Sequence, residues 1–250
     1  MSYRSILQAR ILMPAAGTIL LGLAWPAGPA CAQMIQPSLY LGPQISFQAH
    51  VAAQNAGRAA ADRGAEGAAD APAAVDRAVL LYRPDPARRR ANLAGFVKRL
   101  RAIDPQGAAN VEAILAQGDI IERARPTLAA HGLDTNDIGD AYAAYWISAC
   151  QAARGDTATP DRTTIAAVKA QAAETIGMKP EFRMAGDATK QEIAETLWLQ
   201  TMLLDGAVEG AQGKPDQLRV LHEAAVLGAR KVGLDLNRMT LGPQGFVPVQ

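Results

Sequence analysis

Two pairs of carboxylates stand three residues apart in the chain, Asp137/Asp140 and Glu192/Glu195. On a helix that spacing puts both acids of a pair on one face. Two acids so placed are the equipment for acid–base cleavage of a glycan, where their separation decides the mechanism. The competing reading is electrostatic. Each pair falls in what the sequence makes the first turn of a helix, where negative charge is favoured by about 0.3–1 kcal/mol per residue. Position favours this capping role, and an envelope hydrolase using Glu192 or Glu195 stands as the alternative.

Other reactive residues are poorly placed for chemistry. His222-Glu223 suggests a zinc helix, but a metalloprotease helix needs a second His four residues after the first, and position 226 is Val. His50 and His131 lie far away in the chain, so no metal ligand set is assigned. Ser148 sits inside a helical pattern with no turn to expose it as a nucleophile. Cys150, two residues on among Ala149, Ala152 and Ala153, reads as a small buried hydrophobe. Tyr142, Tyr145 and Trp146 could line a pocket, but their helical spacing points to core. No catalytic residue and no cofactor is assigned.

The strongest binding signal is cationic. Arg88, Arg89, Arg90, Lys98, Arg99 and Arg101 fall within fourteen residues that contain no acid. Opposite an apolar stripe they could form one surface for phospholipid, lipopolysaccharide or an acidic partner. The plainer expectation is a solvated face paired with acids elsewhere in the fold.

The elements that must position these residues are helical. Glu192–Val208 is apolar on most of its circumference around Leu197-Trp198-Leu199, and a helix of that kind must be covered on several sides. It reads as a central strut from about Thr189 to Val208. Asp85-Pro86 starts a helix with the stripe Leu93, Phe96, Val97, Leu100 and Ile103, ending at Asp104-Pro105. A shorter helix spans about Ala108–Ala116, and Asp119 caps another that Pro126 kinks or divides and Gly132 closes. Asp137–Arg154 carries the three aromatics, and its face is expected to pack on Leu197–Leu204. Thr159-Pro160 opens a further helix, Phe182 plugs a gap, and a last helix carries Leu218, Leu221, Ala225, Val226 and Val232 up to Gly233. The apolar tail 234–250 is expected to dock across the bundle. No segment alternates apolar and polar residues over a strand's length, so the expectation is a single all-α bundle of six to seven helices over residues 78–250.

Ahead of that domain, Arg4, Arg10, an apolar run Ile11–Trp25 and Ala30-Cys31-Ala32 form the parts of a secretory signal cleaved after Ala32. Residues 33–77 form a low-complexity Ala/Gly/Gln/Pro linker, expected to be largely disordered. Cleavage lowers the basic residues from 25 to 23 against 24 acids, a balance that gives no field for nucleic acid. Removal of Cys31 leaves Cys150 without a partner for an internal disulfide. The localisation expected is periplasmic or secreted, with a protein or anionic envelope component as partner and no transmembrane segment in the mature chain.

Asp140-Ala141-Tyr142-Ala143-Ala144-Tyr145-Trp146, the Ala152-Ala153-Arg154-Gly155 that follows, and Glu192-Ile193-Ala194-Glu195 leading into an apolar run form a distinctive order. With the closing Gly233-Leu234-Asp235-Leu236, Met239-Thr240-Leu241 and Gly245-Phe246, this order resembles a family of uncharacterised bacterial secreted or periplasmic helical proteins, a domain of unknown function. The resemblance covers about Tyr82 to Phe246. It implies an exported helical domain behind a variable leader, and it supplies no catalytic residue.

Overall fold

Five helices in succession begin on an aspartate. Asp85, Asp104, Asp119, Asp137 and Asp161 each accept a hydrogen bond from a backbone N–H of the turn they open, satisfying donors that a helix start leaves unpaired. Pro86 and Pro105 occupy the first helical position, where a missing N–H costs nothing. Gly118, Gly132, Gly155 and Gly213 follow helix ends with positive φ, a conformation that glycine adopts without a Cβ clash.

The computed structural model describes residues 76–231 and 234–249. The expected signal segment and nearly all of the expected linker lie outside them. Among the described residues are eight α-helices: α1 (Pro86–Arg101), α2 (Pro105–Leu115), α3 (Ile120–Ala130), α4 (Ile138–Ala152), α5 (Arg162–Gly177), α6 (Pro180–Arg183), α7 (Asp187–Gly210) and α8 (Pro215–Lys231). A short 3-10 turn, Arg77–Leu80, precedes them, with Leu80 fully buried. None of the described helices is long and apolar enough to cross a membrane. The described residues are all-α apart from one small hairpin near their end.

The core is a pair of helices. The strut expected around Trp198 is α7, with Trp198 and Leu199 fully buried. Its main partner is α4, all fifteen residues of which are buried. Enclosure of α4 on every side follows from its composition: Ala141, Ala143, Ala144, Ala149 and Ala152 let neighbours approach closely. The bulk comes from Tyr142, Tyr145 and Trp146, which meet edge to face at centroid distances of 6.0 and 5.3 Å. Helices α1, α5 and α8 pack around this pair, and Phe182 on α6 is buried as expected.

Several boundaries differ from the sequence reading. Pro126 lies inside a continuous α3 and does not divide it. Helix α5 starts at Arg162 on the Asp161 cap, two residues after Thr159-Pro160. Helix α1 stops at Arg101, which leaves Ile103 outside the helix and 43% exposed, so the apolar stripe ends at Leu100. The expected helix end at Gly233, together with Val232, falls outside the described residues.

The tail docks, but as a β-hairpin that the sequence reading omitted. Strands β1 (Met239–Gly242) and β2 (Gly245–Pro248) pair antiparallel, with Leu241 opposite Phe246. Buried Gln171 of α5 clamps the hairpin from beneath. Its amide donates to the Phe246 carbonyl at 2.9 Å and its Oε1 accepts from the Phe246 N–H at 2.8 Å. Gly245 has φ 82°, and a Cβ there would collide with that amide. Four-residue strands with a single large buried side chain each, Met239 and Phe246, are too short for a periodicity signal to register.

Candidate functional site

The six-cation run lies on α1, and the helix distributes it in four directions. Arg89 stands four residues before Leu93 and eleven before Leu100, so the buried stripe carries it inward, and it is 4% exposed. Arg99 turns toward α7, with Nη1 3.9 Å from Glu192. Arg90, Lys98 and Arg101 stand on the flank facing α2, where Arg101 pairs with Glu112. Half-buried Arg88 belongs to none of these groups. The single cationic surface that the sequence allowed is therefore divided, and the expected pairing with acids holds for three of the six.

Arg89 organises a buried electrostatic seam between α1, α3 and α7. Its Nε meets Glu195 Oε1 at 2.7 Å, and its Nη1 meets Asp119 at 3.0 Å and Glu122 at 2.5 Å. Glu195 has no exposed surface. Its other oxygen accepts from Asn92 at 2.7 Å, and Oε1 also accepts from Gln191 at 2.8 Å. Gln191 in turn brackets the backbone of Asp85, donating to its carbonyl and accepting from its N–H. Burial pulls the Arg89 guanidinium down, and the hydrogen bonds to Glu195, Glu122 and Asp119 more than offset it, so its pKa stays above the ordinary value.

This geometry corrects the capping reading of Glu192/Glu195. Because α7 begins at Asp187, neither glutamate is in a first turn. Glu192 is in solvent, and Glu195 is enclosed by donors and cannot meet a glycan unless the α1–α7 seam opens. The open cleft that a carboxylate pair would need is not formed around these two residues. The capping reading does describe the other pair. Asp137 caps α4, accepting from Gly139 N at 2.7 Å, while Asp140 is 1% exposed and takes Lys169 at 2.9 Å, Arg77 at 2.7 Å and the Asp134 N–H at 2.8 Å. Desolvation, together with the nearby charge of Asp137, still raises the Asp140 carboxyl above its ordinary range.

The remaining candidates are buried or engaged. Burial pushes the Cys150 thiol up to about 11, only partly countered by the Arg154 guanidinium beside it. That places it far from the thiolate a nucleophile needs. Ser148 is 2% exposed inside α4. The His222 ring nitrogen Nδ1 lies 2.5 Å from the Ala153 carbonyl, and among the described residues no group of His, Cys, Asp and Glu could hold a metal ion. His131 is half-buried at the end of α3, its pKa lowered by burial and by Arg162, and His50 is outside the described residues. Tyr142, Tyr145 and Trp146 are each 1% exposed and fill core.

What remains open is a groove of about 840 Å3 between α1 and α2. Its floor is apolar: Leu93, Ala94, Val97, Leu115 and Ala116. Its walls carry four cations and two acids: Arg101 is paired with Glu112 and Arg89 with Asp119, while exposed Arg90 and Lys98 form no ion pair within 4.0 Å among the described residues. A second concavity of about 590 Å3 lies beside the hairpin, but its arginine is committed: Arg154 donates to the carbonyls of Cys150 at 3.1 Å and Met239 at 2.5 Å. Sequence reasoning found the cations and the α1 part of the floor, Leu93 and Val97, but not the groove. The missing signal was the end of α2, where Leu115 and the C-cap residue Ala116 join Leu93 in one groove only once the Ala102–Asp104 turn folds the two helices side by side.

The chain belongs to a family of unknown function, DUF6683, whose model matches residues 17–248. No curated protein and no solved structure matches it.

Proposed function

We propose that this family member is an exported all-helical binding domain of the bacterial envelope, without chemistry of its own, and that the α1–α2 groove is its binding face. The observation that carries this reading is the pair of exposed cations, Arg90 and Lys98, on the walls of an open groove whose two acids, Glu112 and Asp119, are already paired with Arg101 and Arg89. The other two cations of the groove, Arg89 and Arg101, are matched to its acids, which leaves Arg90 and Lys98 to meet a ligand. Charged walls around an apolar floor are the usual make-up of a site that orients a ligand with few polar contacts and holds it by burial. Export rests on the sequence alone, on the basic start, apolar run and Ala30-Cys31-Ala32 of the first 32 residues.

Cell fractionation tests both halves. The protein is expected with the periplasm or envelope, its first residue Gln33. The double variant Arg90→Glu/Lys98→Glu is expected to leave the envelope-bound fraction for the soluble one. A cytoplasmic chain that keeps residues 1–32 ends the export reading, and an unchanged partition of the variant ends the assignment of the groove.

A further inference from the structure

We infer that the α1–α2 groove takes an acidic amphipathic helix from a partner protein, laid along α1. This rests on the groove being the binding face. Shape is the first argument. The lining residues run from Pro86 to Arg101, the whole of α1, which at 1.5 Å per residue is about 24 Å. The groove opens to solvent, and its lining extends over that length. A small ligand gains its affinity by being enclosed, whereas a helix needs only one stripe covered, and an open trough covers one stripe. Ala94 and Ala116, small and exposed in the floor, leave room for a second helix to come close.

Charge is the second argument, and it defines the partner: the groove has four cations and two acids, and with Glu112 and Asp119 held by Arg101 and Arg89 the balance is positive at Arg90 and Lys98. Arg90 and Lys98 are eight residues apart, just over two turns, which sets them about 12 Å apart on one flank. A complementary helix therefore carries carboxylates seven or eight residues apart, with apolar side chains at the intervening third and fourth positions to meet Leu93, Val97 and Leu115. A membrane surface fits less well. Insertion requires large apolar side chains projecting from the cationic face. Of the large apolar side chains exposed among the described residues, only Leu81 and Ile103 are close to α1 in the chain, and they lie before its first turn and beyond its last, not on the helix.

The test uses the purified exported protein and three labelled synthetic peptides of 18 or so residues, read by fluorescence anisotropy. The first has a leucine stripe with flanking glutamates, the second has lysines for the glutamates, and the third keeps the composition of the first with the leucines scattered. A fourth arm is co-sedimentation with phosphatidylglycerol vesicles. The first peptide is expected to bind and the other two to bind at least tenfold more weakly. Arg90→Glu/Lys98→Glu and the groove-filling Ala94→Trp should each cost the first peptide about tenfold or more. All three substituted positions are exposed on α1, and circular dichroism checks that the variants fold. Equal binding of the scattered peptide, or no effect of Ala94→Trp, overturns the inference. Vesicle binding that depends on Arg90 and Lys98, with no peptide bound, overturns it while sparing the groove as a binding face. If neither peptide nor vesicle binds, both readings fail.

Discussion

Asp137/Asp140 and Glu192/Glu195 share a spacing and a charge, yet the fold uses them in different ways. Asp137 and Asp140 sit at the start of α4, both buried, and divide their work between capping and an ion cluster with Arg77 and Lys169. Glu192 and Glu195 sit inside α7, where one helical step carries the first into water and the second into the protein. The difference lies in who answers the charge. Glu195 is answered by Arg89, a full guanidinium with three acceptors around it. Asp140 is answered by a lysine, by a half-exposed arginine and by one backbone N–H, with a second carboxylate close by. Spacing along the chain decides that two acids share a face, and the surrounding elements decide what that face meets.

The comparison breaks most visibly at Arg89. Arg89→Met leaves Glu195 with only Asn92 and Gln191 and should destabilise the fold by about 3–5 kcal/mol, the cost of stranding a buried charge. Combining it with Glu195→Leu should recover most of that loss, since an apolar pair of similar volume can replace a buried ion pair. Urea midpoints of the two single variants and the double variant give the coupling. Additive losses would mean that the two side chains act independently and that the seam is not a unit. At the other pair, Asp137→Ala removes a helix cap and should cost about 1–2 kcal/mol. Its partner Arg77 has a side chain 45% exposed and adds little to that figure.

The two clusters should also answer acid with opposite signs. Glu122 lies in the Arg89 seam. Burial opposes its charge, but hydrogen bonds from Arg89 and Arg125 more than offset this and hold its pKa below the ordinary 4.5. Its contribution is therefore fully present above that value and is lost as pH falls through the lower folded one. Asp140 is raised above its ordinary 3.8 by desolvation and by Asp137. Its contribution is fully present below 3.8 and is lost as pH rises through the raised value. In urea melts between about pH 3 and 6, the advantage of wild type over Glu122→Gln should shrink on acidification, and the balance against Asp140→Asn should move toward wild type. The same sign for both would remove the distinction between the clusters.

Much of this was legible in the residues. Aspartate caps, Pro at the first helical position and Gly after the last turn marked most helices, and the apolar stretch around Trp198 marked the centre. The burial of Arg89 was legible too, because it continues the Leu93–Leu100 stripe by one turn, but a charged residue in a basic run draws the eye to the surface. Glu195 was hidden for another reason: its ion pair and two of its hydrogen bonds reach across the fold, with Arg89 and Asn92 more than 100 residues away. The groove was illegible because its floor is shared between two helices: Leu93 and Val97 were read as core stripe, and Leu115 and Ala116 come from a segment more than fifteen residues further on. The hairpin was illegible because what fixes it is Gln171, 75 residues upstream of Phe246.

The smallest expected effect is the one that separates the two acids of α7. Glu192 has a side chain 54% exposed, and its one ion pair, to Arg99 at 3.9 Å, is long and solvent-screened. Glu192→Gln should therefore shift stability by no more than about 0.5 kcal/mol, while Glu195→Gln, in the same helix three residues on, should lose several times as much because it weakens the answer to buried Arg89. Thermal melts of the two variants at neutral pH and moderate salt suffice. A Glu192→Gln loss comparable to that of Glu195→Gln would mean that Glu192 is not in solvent, and the two acids would then face one environment, as an acid–base pair requires. A small loss at Glu192 combined with unchanged peptide binding would assign the charge of α7 to structure and leave recognition to α1.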